Sequence, residues 1–145
     1  MSRTAVWIIG LTIATFVSAP GLATAETYDG SYRGMIVCEK LNTSRFMLRA
    51  PFDIMITGKT VVAARPIFNL QGTLVVGSEI ATGTVGDDGT IKLASTWNGN
   101  GSTYQGNYGG MLNGKGGTLT GTQAWTMPEG QQTRTCTAAV IQTKS

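Results

Sequence analysis

The sequence predicts an all-β protein: an antiparallel up-and-down meander of about eight strands, closed into a small barrel and stapled by one disulfide. Three observations carry this reading. Apolar residues recur with period two, and no ten-residue stretch shows the i, i+3, i+4 spacing of a helix. Turn chemistry interrupts the pattern at short intervals, so successive strands are antiparallel neighbours. The chain has two cysteines, Cys38 and Cys136, one in the first predicted strand and one in the last. Closure into a barrel removes the exposed edges an open sheet would have to protect. A two-sheet β-sandwich is the alternative arrangement of the same strands.

The first 25 residues read as an address. Arg3 supplies a positive start, Ala5 to Val17 an apolar run, and Ala23–Thr24–Ala25 a small-residue cleavage site, which together make a cleaved signal peptide. The apolar run is short of the ~20 residues a bilayer requires, and Pro20 and Gly21 break the chain soon after it. No cysteine stands just after the cleavage site for lipid attachment, and no Arg-Arg pair precedes the apolar run. Residues 26–145 then form a single β domain. The short positive start is of bacterial style, which places the mature chain in the periplasm or secreted to the medium, with no membrane contact after cleavage.

Strands are predicted at Ser31–Glu39, Ala50–Thr57, Thr60–Arg65, Glu79–Val85, Thr90–Trp97, Thr103–Gly109, Thr118–Thr126 and Thr133–Gln142. Between them stand Gly58–Lys59, Asp87–Gly89, Asn98–Gly101, Asn113–Gly114 and Pro128–Gly130, residues that supply positive φ or preset φ near −65°. The connection Pro66–Ser78 is too apolar for a free surface loop. It either plugs a barrel end or adds a strand, or it forms a lid or a partner patch of Ile67, Phe68, Leu70, Leu74, Val75 and Val76.

Alternation assigns the faces. Tyr32, Gly34, Ile36 and Cys38 share one face of the first strand; Arg134, Cys136, Ala138 and Val140 share one face of the last. Further inward sets are Phe52, Ile54 and Ile56; Ile91, Leu93, Ser95 and Trp97; Tyr104, Gly106 and Tyr108; and Leu119, Gly121, Gln123 and Trp125. Tyr32–Arg33–Gly34, Tyr104–Gln105–Gly106 and Leu119–Thr120–Gly121 each put a large side chain two residues before a glycine, on its own face. We read these as barrel corners, where a missing side chain lets the strand coil and a ring covers the backbone.

The cysteines pair in an oxidising compartment, tying the first strand to the last. Closing a loop of roughly 100 residues in this way stabilises by about 4–5 kcal/mol on chain-entropy grounds. Removal of Arg3 leaves ten basic against eight acidic residues, a net charge of +2, too small and too scattered for a nucleic-acid footprint. The densest basic stretch, Ser44 to Arg49, reads as a solvated strand or loop face.

There is no histidine, so Ser-His-Asp, Cys-His and histidine-zinc chemistry are absent. Asp53 lies out of phase with Phe52 and Ile54, and Glu79 opens a strand, so both are expected to face solvent rather than form a catalytic carboxylate pair. Asp87 and Asp88 lack the further ligands of a calcium loop and read as a turn. No S-x-x-K stands in the mature chain. The expectation is a protein that is not an enzyme, with no cofactor and no metal.

The segments Asp29 to Cys38, Pro51 to Gly58, Val85 to Leu93, Tyr104 to Gly110 and Arg134 to Val140 resemble a type of small exported bacterial β domain whose activity is uncharacterised. The resemblance implies the disulfide and the β architecture and brings no activity. Ser102 to Gly110 is also similar to one aromatic-x-Gly strand of the avidin-like barrels, and no ligand residue is carried over from that single strand.

Two functions from different classes are compatible with these features. One is non-enzymatic binding of a small apolar or aromatic ligand, with Trp97, Tyr104, Tyr108, Trp125 and Arg134 as the ligand-binding residues. The other is a cell-envelope interaction module, an inhibitor or accessory subunit, that meets its protein partner through the Pro66–Ser78 segment.

Overall fold

A computed structural model of the chain describes residues 27–44, 46–69, 73–99 and 101–144. The signal peptide expected over residues 1–25 lies outside the described residues, as do Arg45, Leu70 and Asn100. Eight strands run β1 Gly30–Cys38, β2 Leu48–Thr57, β3 Thr60–Phe68, β4 Val75–Val85, β5 Thr90–Gly99, β6 Ser102–Asn113, β7 Gly116–Met127 and β8 Gly130–Lys144. Each pairs antiparallel with the next, and β8 returns to β1, closing the barrel in sequence order. The sandwich alternative is thereby excluded.

Cys38 and Cys136 stand directly opposite each other in the β1–β8 register, and their sulfurs are bonded, with 4.0 Å between the Cα atoms. Both face the interior and are buried. The disulfide therefore fastens the seam where the two ends of the chain meet, and it fits an oxidising environment.

Alternation places the faces as predicted. The interior holds Tyr32, Ile36, Phe52, Ile54, Ile56, Ile91, Leu93, Leu119, Ala138 and Val140, while outward positions of β7 and β8 carry Thr118, Thr120, Thr122, Thr133, Thr135 and Thr137. On the outside of the other strands the threonines give way to exposed apolar side chains such as Met35, Met55, Val62, Ile80 and Met111.

Several turns shift by a residue. In the β6–β7 hairpin Asn113 pairs with Gly116, so the two-residue loop is Gly114–Lys115. The Asn113 carboxamide oxygen accepts from the backbone N–H groups of Lys115 and Gly116, an Asx turn in which Asn113 caps the loop. Met127 likewise pairs with Gly130, leaving Pro128–Glu129 as the β7–β8 loop. Strand ends also extend beyond the predicted bounds. Among its described residues the Pro66–Ser78 segment adds no separate strand: its flanks lengthen β3 and β4, with a register shift between Ile67 and Phe68.

Two kinds of glycine shape the wall. A Cβ on Gly34 would fall 1.8 Å from the Ala139 carbonyl oxygen, so the close approach of β8 to β1 there requires glycine. Gly121 admits the Asn107 backbone and the Tyr108 ring, which covers it from the facing strand. The covering ring thus comes across the ladder rather than from two residues back along the strand, because registered neighbours are closer than i, i+2 residues.

The two ends of the barrel differ. At the end carrying the β2–β3, β4–β5 and β6–β7 hairpins, Tyr28 packs into the core beside Leu112, and the Tyr32 hydroxyl donates to its carbonyl oxygen at 2.8 Å. The opposite end, bounded by the residue 39–47 connection and the β3–β4, β5–β6 and β7–β8 loops, opens into a cavity.

Candidate functional site

The open end encloses a cavity of about 530 Å³. Its wall includes Trp97 from β5, Trp125 from β7, Ile67 and Phe68 from β3, Val76 from β4 and Met127 at the end of β7. A volume in this range suits a small organic ligand.

The aromatic wall arises from the register. Trp97 faces Tyr104 and Tyr104 faces Trp125, three aromatic side chains in one cross-strand row. Their ring centroids lie 6.3 Å apart for Trp97–Tyr104, 4.5 Å for Tyr104–Trp125 and 6.0 Å for Trp97–Trp125, the spacing of mutually packed aromatic rings. Tyr104 is buried behind the two indoles, which present themselves to the cavity.

Beneath the wall lies a polar floor that sequence reasoning missed. Glu79 is buried, not solvent-facing, and forms an ion pair with the equally buried Arg65; each side chain is 1 % exposed. In-phase neighbours could have revealed both: Arg65 follows Val61 and Ala63 on one face of β3, and Glu79 precedes Ala81 and Val85 on one face of β4. Treating them as strand ends concealed their direction, since the strands run on past both.

The hydrogen bonds form one connected set. Ser95 and Tyr108 hydroxyls donate to Glu79 Oε1 at 2.5 and 2.9 Å. Gln123 Nε2 donates to the Tyr108 hydroxyl at 2.7 Å. Gln123 Oε1 in turn accepts from Arg134 Nε at 2.8 Å and Trp125 Nε1 at 3.3 Å. Arg65 donates from Nη2 to the Tyr104 hydroxyl at 3.3 Å and from Nη1 to the Pro66 carbonyl at 3.1 Å. Gly106 belongs here rather than at a corner: a Cβ would fall 2.5 Å from Ser95 Oγ and 3.0 Å from the Tyr108 ring.

Burial sets the ionisation of these groups. It pushes the Tyr108 hydroxyl up to about 12, with the Glu79 charge acting in the same direction, and drives Tyr104 well above the ordinary phenol range. Burial pulls Arg65 down, but the Glu79 carboxylate together with the Tyr104 and Tyr108 hydroxyls outweighs it and holds the guanidinium above its usual value. Arg134 has no such partner: burial, then the Arg65 charge, lower it to about 10.

The sequence-predicted ligand residues therefore come together in layers. Trp97, Trp125 and Arg134 border the cavity, Tyr104 backs the indoles, and Tyr108 sits in the floor beside Glu79. The partner-patch residues separate: Ile67, Phe68 and Val76 turn toward the cavity, while Leu74 and Val75 are 62 % and 54 % exposed near the tip of the β3–β4 hairpin. Asp53 is exposed and paired with Arg33, so it forms no carboxylate pair with the buried Glu79. No known family model, curated protein or solved structure matches the chain, so the chemistry of the cavity is read from its own geometry.

Proposed function

We propose that the mature chain is an exported, non-enzymatic binder of a small ligand with an apolar or aromatic body, taken up through the open end of the barrel. The observation that carries this is the cavity of about 530 Å³ walled by Trp97, Trp125 and Phe68 above a floor whose buried polar groups hold one another. The one buried carboxylate among the described residues is engaged by Arg65, Ser95 and Tyr108, an arrangement suited to holding shape and not to proton transfer.

Native mass spectrometry of protein isolated gently from its host, followed by isothermal titration calorimetry with the released compound, tests the reading. Trp97→Ala with Trp125→Ala is expected to abolish binding while circular dichroism shows an intact barrel. Undiminished affinity in that double variant would refute the site assignment.

A second reading rests on the exposed Leu74 and Val75 and, across the mouth, the exposed Phe46 and Met47. These apolar lips suit an envelope protein partner that covers the opening. Replacing Leu74 and Val75 by serine would then eliminate a crosslinked complex without changing ligand affinity.

A further inference from the structure

The charge inside the barrel does not balance. Among the described residues the buried ionic side chains are Arg65, Glu79 and Arg134, two cations against one anion. Glu79 is committed to Arg65. Arg134 takes part in none of the ion pairs among the described residues, which are Arg33–Asp53, Lys59–Asp87 and Arg65–Glu79. At the rim, exposed Arg49 and Glu129 offset each other and leave that surplus in place.

Arg134 is also held in a fixed pose. Its side chain is buried, at 7 % residue exposure, and its guanidinium carbon lies 5.5 Å from the centre of the Trp125 ring. Nε is spent on Gln123 Oε1, and Gln123 is itself clamped by Trp125 and Tyr108. The two Nη groups make no hydrogen bond with another described residue, and the side chain borders the cavity. A planar pair of free N–H groups, held in place and short of a counter-charge, is a receptor for two oxygens of an anion.

From this arrangement we infer that the ligand is a monocarboxylate, its carboxylate received end-on by the Nη groups of Arg134 and its apolar body lying against Trp97 and Trp125. This rests on the ligand-binding reading above and narrows it. A single surplus cation matches a single negative charge, whereas a phosphate monoester would bring close to two. Arg65 is the weaker candidate, since its charge is already neutralised by Glu79 and both of its Nη groups donate within the floor, to Tyr104 and Pro66. With its ionisation near 10, Arg134 keeps its proton at neutral pH.

The test compares 2-naphthoate with its neutral isostere 2-naphthamide by tryptophan-fluorescence titration at neutral pH. The wild-type protein is expected to bind the carboxylate at least roughly tenfold more tightly, the discrimination that one charge-assisted pair supplies. Arg134→Gln should erase the preference for the carboxylate, and Arg134→Lys should restore part of it. The wild-type comparison stands even if the Arg134 variants fold poorly. Equal affinity of the wild-type protein for both probes would overturn the carboxylate assignment and leave the ligand-binding reading standing. Binding of neither probe, together with no mass retained on the native protein, would overturn both.

Discussion

Replacing Glu79 by glutamine probes how the barrel carries its buried charge. The substitution keeps the volume, and the amide oxygen can still accept from Ser95 and Tyr108, so no cavity opens and few hydrogen bonds are lost. What disappears is the only buried anion among the described residues, leaving Arg65 and Arg134 as two cations in one interior. Removing one partner of a buried ion pair costs about 3–5 kcal/mol, and a second nearby cation places this case toward the upper value. That is a large part of the roughly 5–15 kcal/mol that holds a domain together. At about 3–6 °C per kcal/mol for a chain of this size, the melting temperature falls by about 10–25 °C. Thermal unfolding followed by near-ultraviolet circular dichroism, which reports the tryptophan environment, measures it. The companion variant Arg65→Met with Glu79→Leu is expected to recover at least half the loss, because an apolar pair avoids the desolvation of both ions. A drop under about 1 kcal/mol in Glu79→Gln, against the 3–5 expected, would refute the view that this pair is buried and mutually dependent.

Two further predictions concern pH and the turns. Tyr108 ionises near 12 in the folded protein against about 10 unfolded, and Tyr104 is raised too, so their stabilisation is complete below pH 10 and declines above it. Arg134 is lowered to about 10 and opposes one of the two over the same window, so a net loss of stability remains between pH 10 and 12. Urea midpoints at successive pH values should show this decline, made shallower by Tyr108→Phe; a flat profile would contradict the burial of the phenols. At Gly89, with φ +83° and the Leu112 carbonyl oxygen 2.1 Å from a would-be Cβ, alanine should cost well over 1 kcal/mol. Gly58, with φ +59° and open space around it, should lose about 1 kcal/mol on the same substitution, so denaturant midpoints of the two variants separate strain from clash.

Most of the wall was legible in the sequence because a strand has a period of two. Once Tyr104 and Tyr108 are assigned inward, turn-limited antiparallel pairing brings Trp97 and Trp125 to the same face, and the cysteines meet for the same reason. The floor was not legible, for a different reason. A charged residue at a presumed strand end is ordinarily solvated, and only the continuation of β3 to Phe68 and the start of β4 at Val75 place Arg65 and Glu79 within the barrel. The cavity itself depends on how far the hairpin tips extend past the last inward side chains. Local pattern does not encode that length, and the apolar Pro66–Ser78 stretch hid it by resembling an extra strand.

The placement of polar groups divides the barrel into two halves with different physical duties. Toward the closed end, Tyr28, Ile54, Ile56 and Ile91 hold the wall mainly by apolar packing, with the Tyr32 hydroxyl donating to the Tyr28 carbonyl oxygen. Toward the open end the wall is held by directional bonds. Buried ion pairs are poor stabilisers compared with apolar residues of the same volume. The Arg65–Glu79 pair therefore contributes geometry more than net stability. Glu79 orients the Tyr108 hydroxyl as donor, which obliges that hydroxyl to accept from the Gln123 amide nitrogen. The Gln123 oxygen then has one direction to face, toward Trp125 and Arg134. Each bond fixes the donor and acceptor sense of the next, from the ion pair to the two side chains that border the cavity. A site preorganised this way loses less conformational freedom when a ligand arrives, and the cost of burying charge is met where orientation matters to binding.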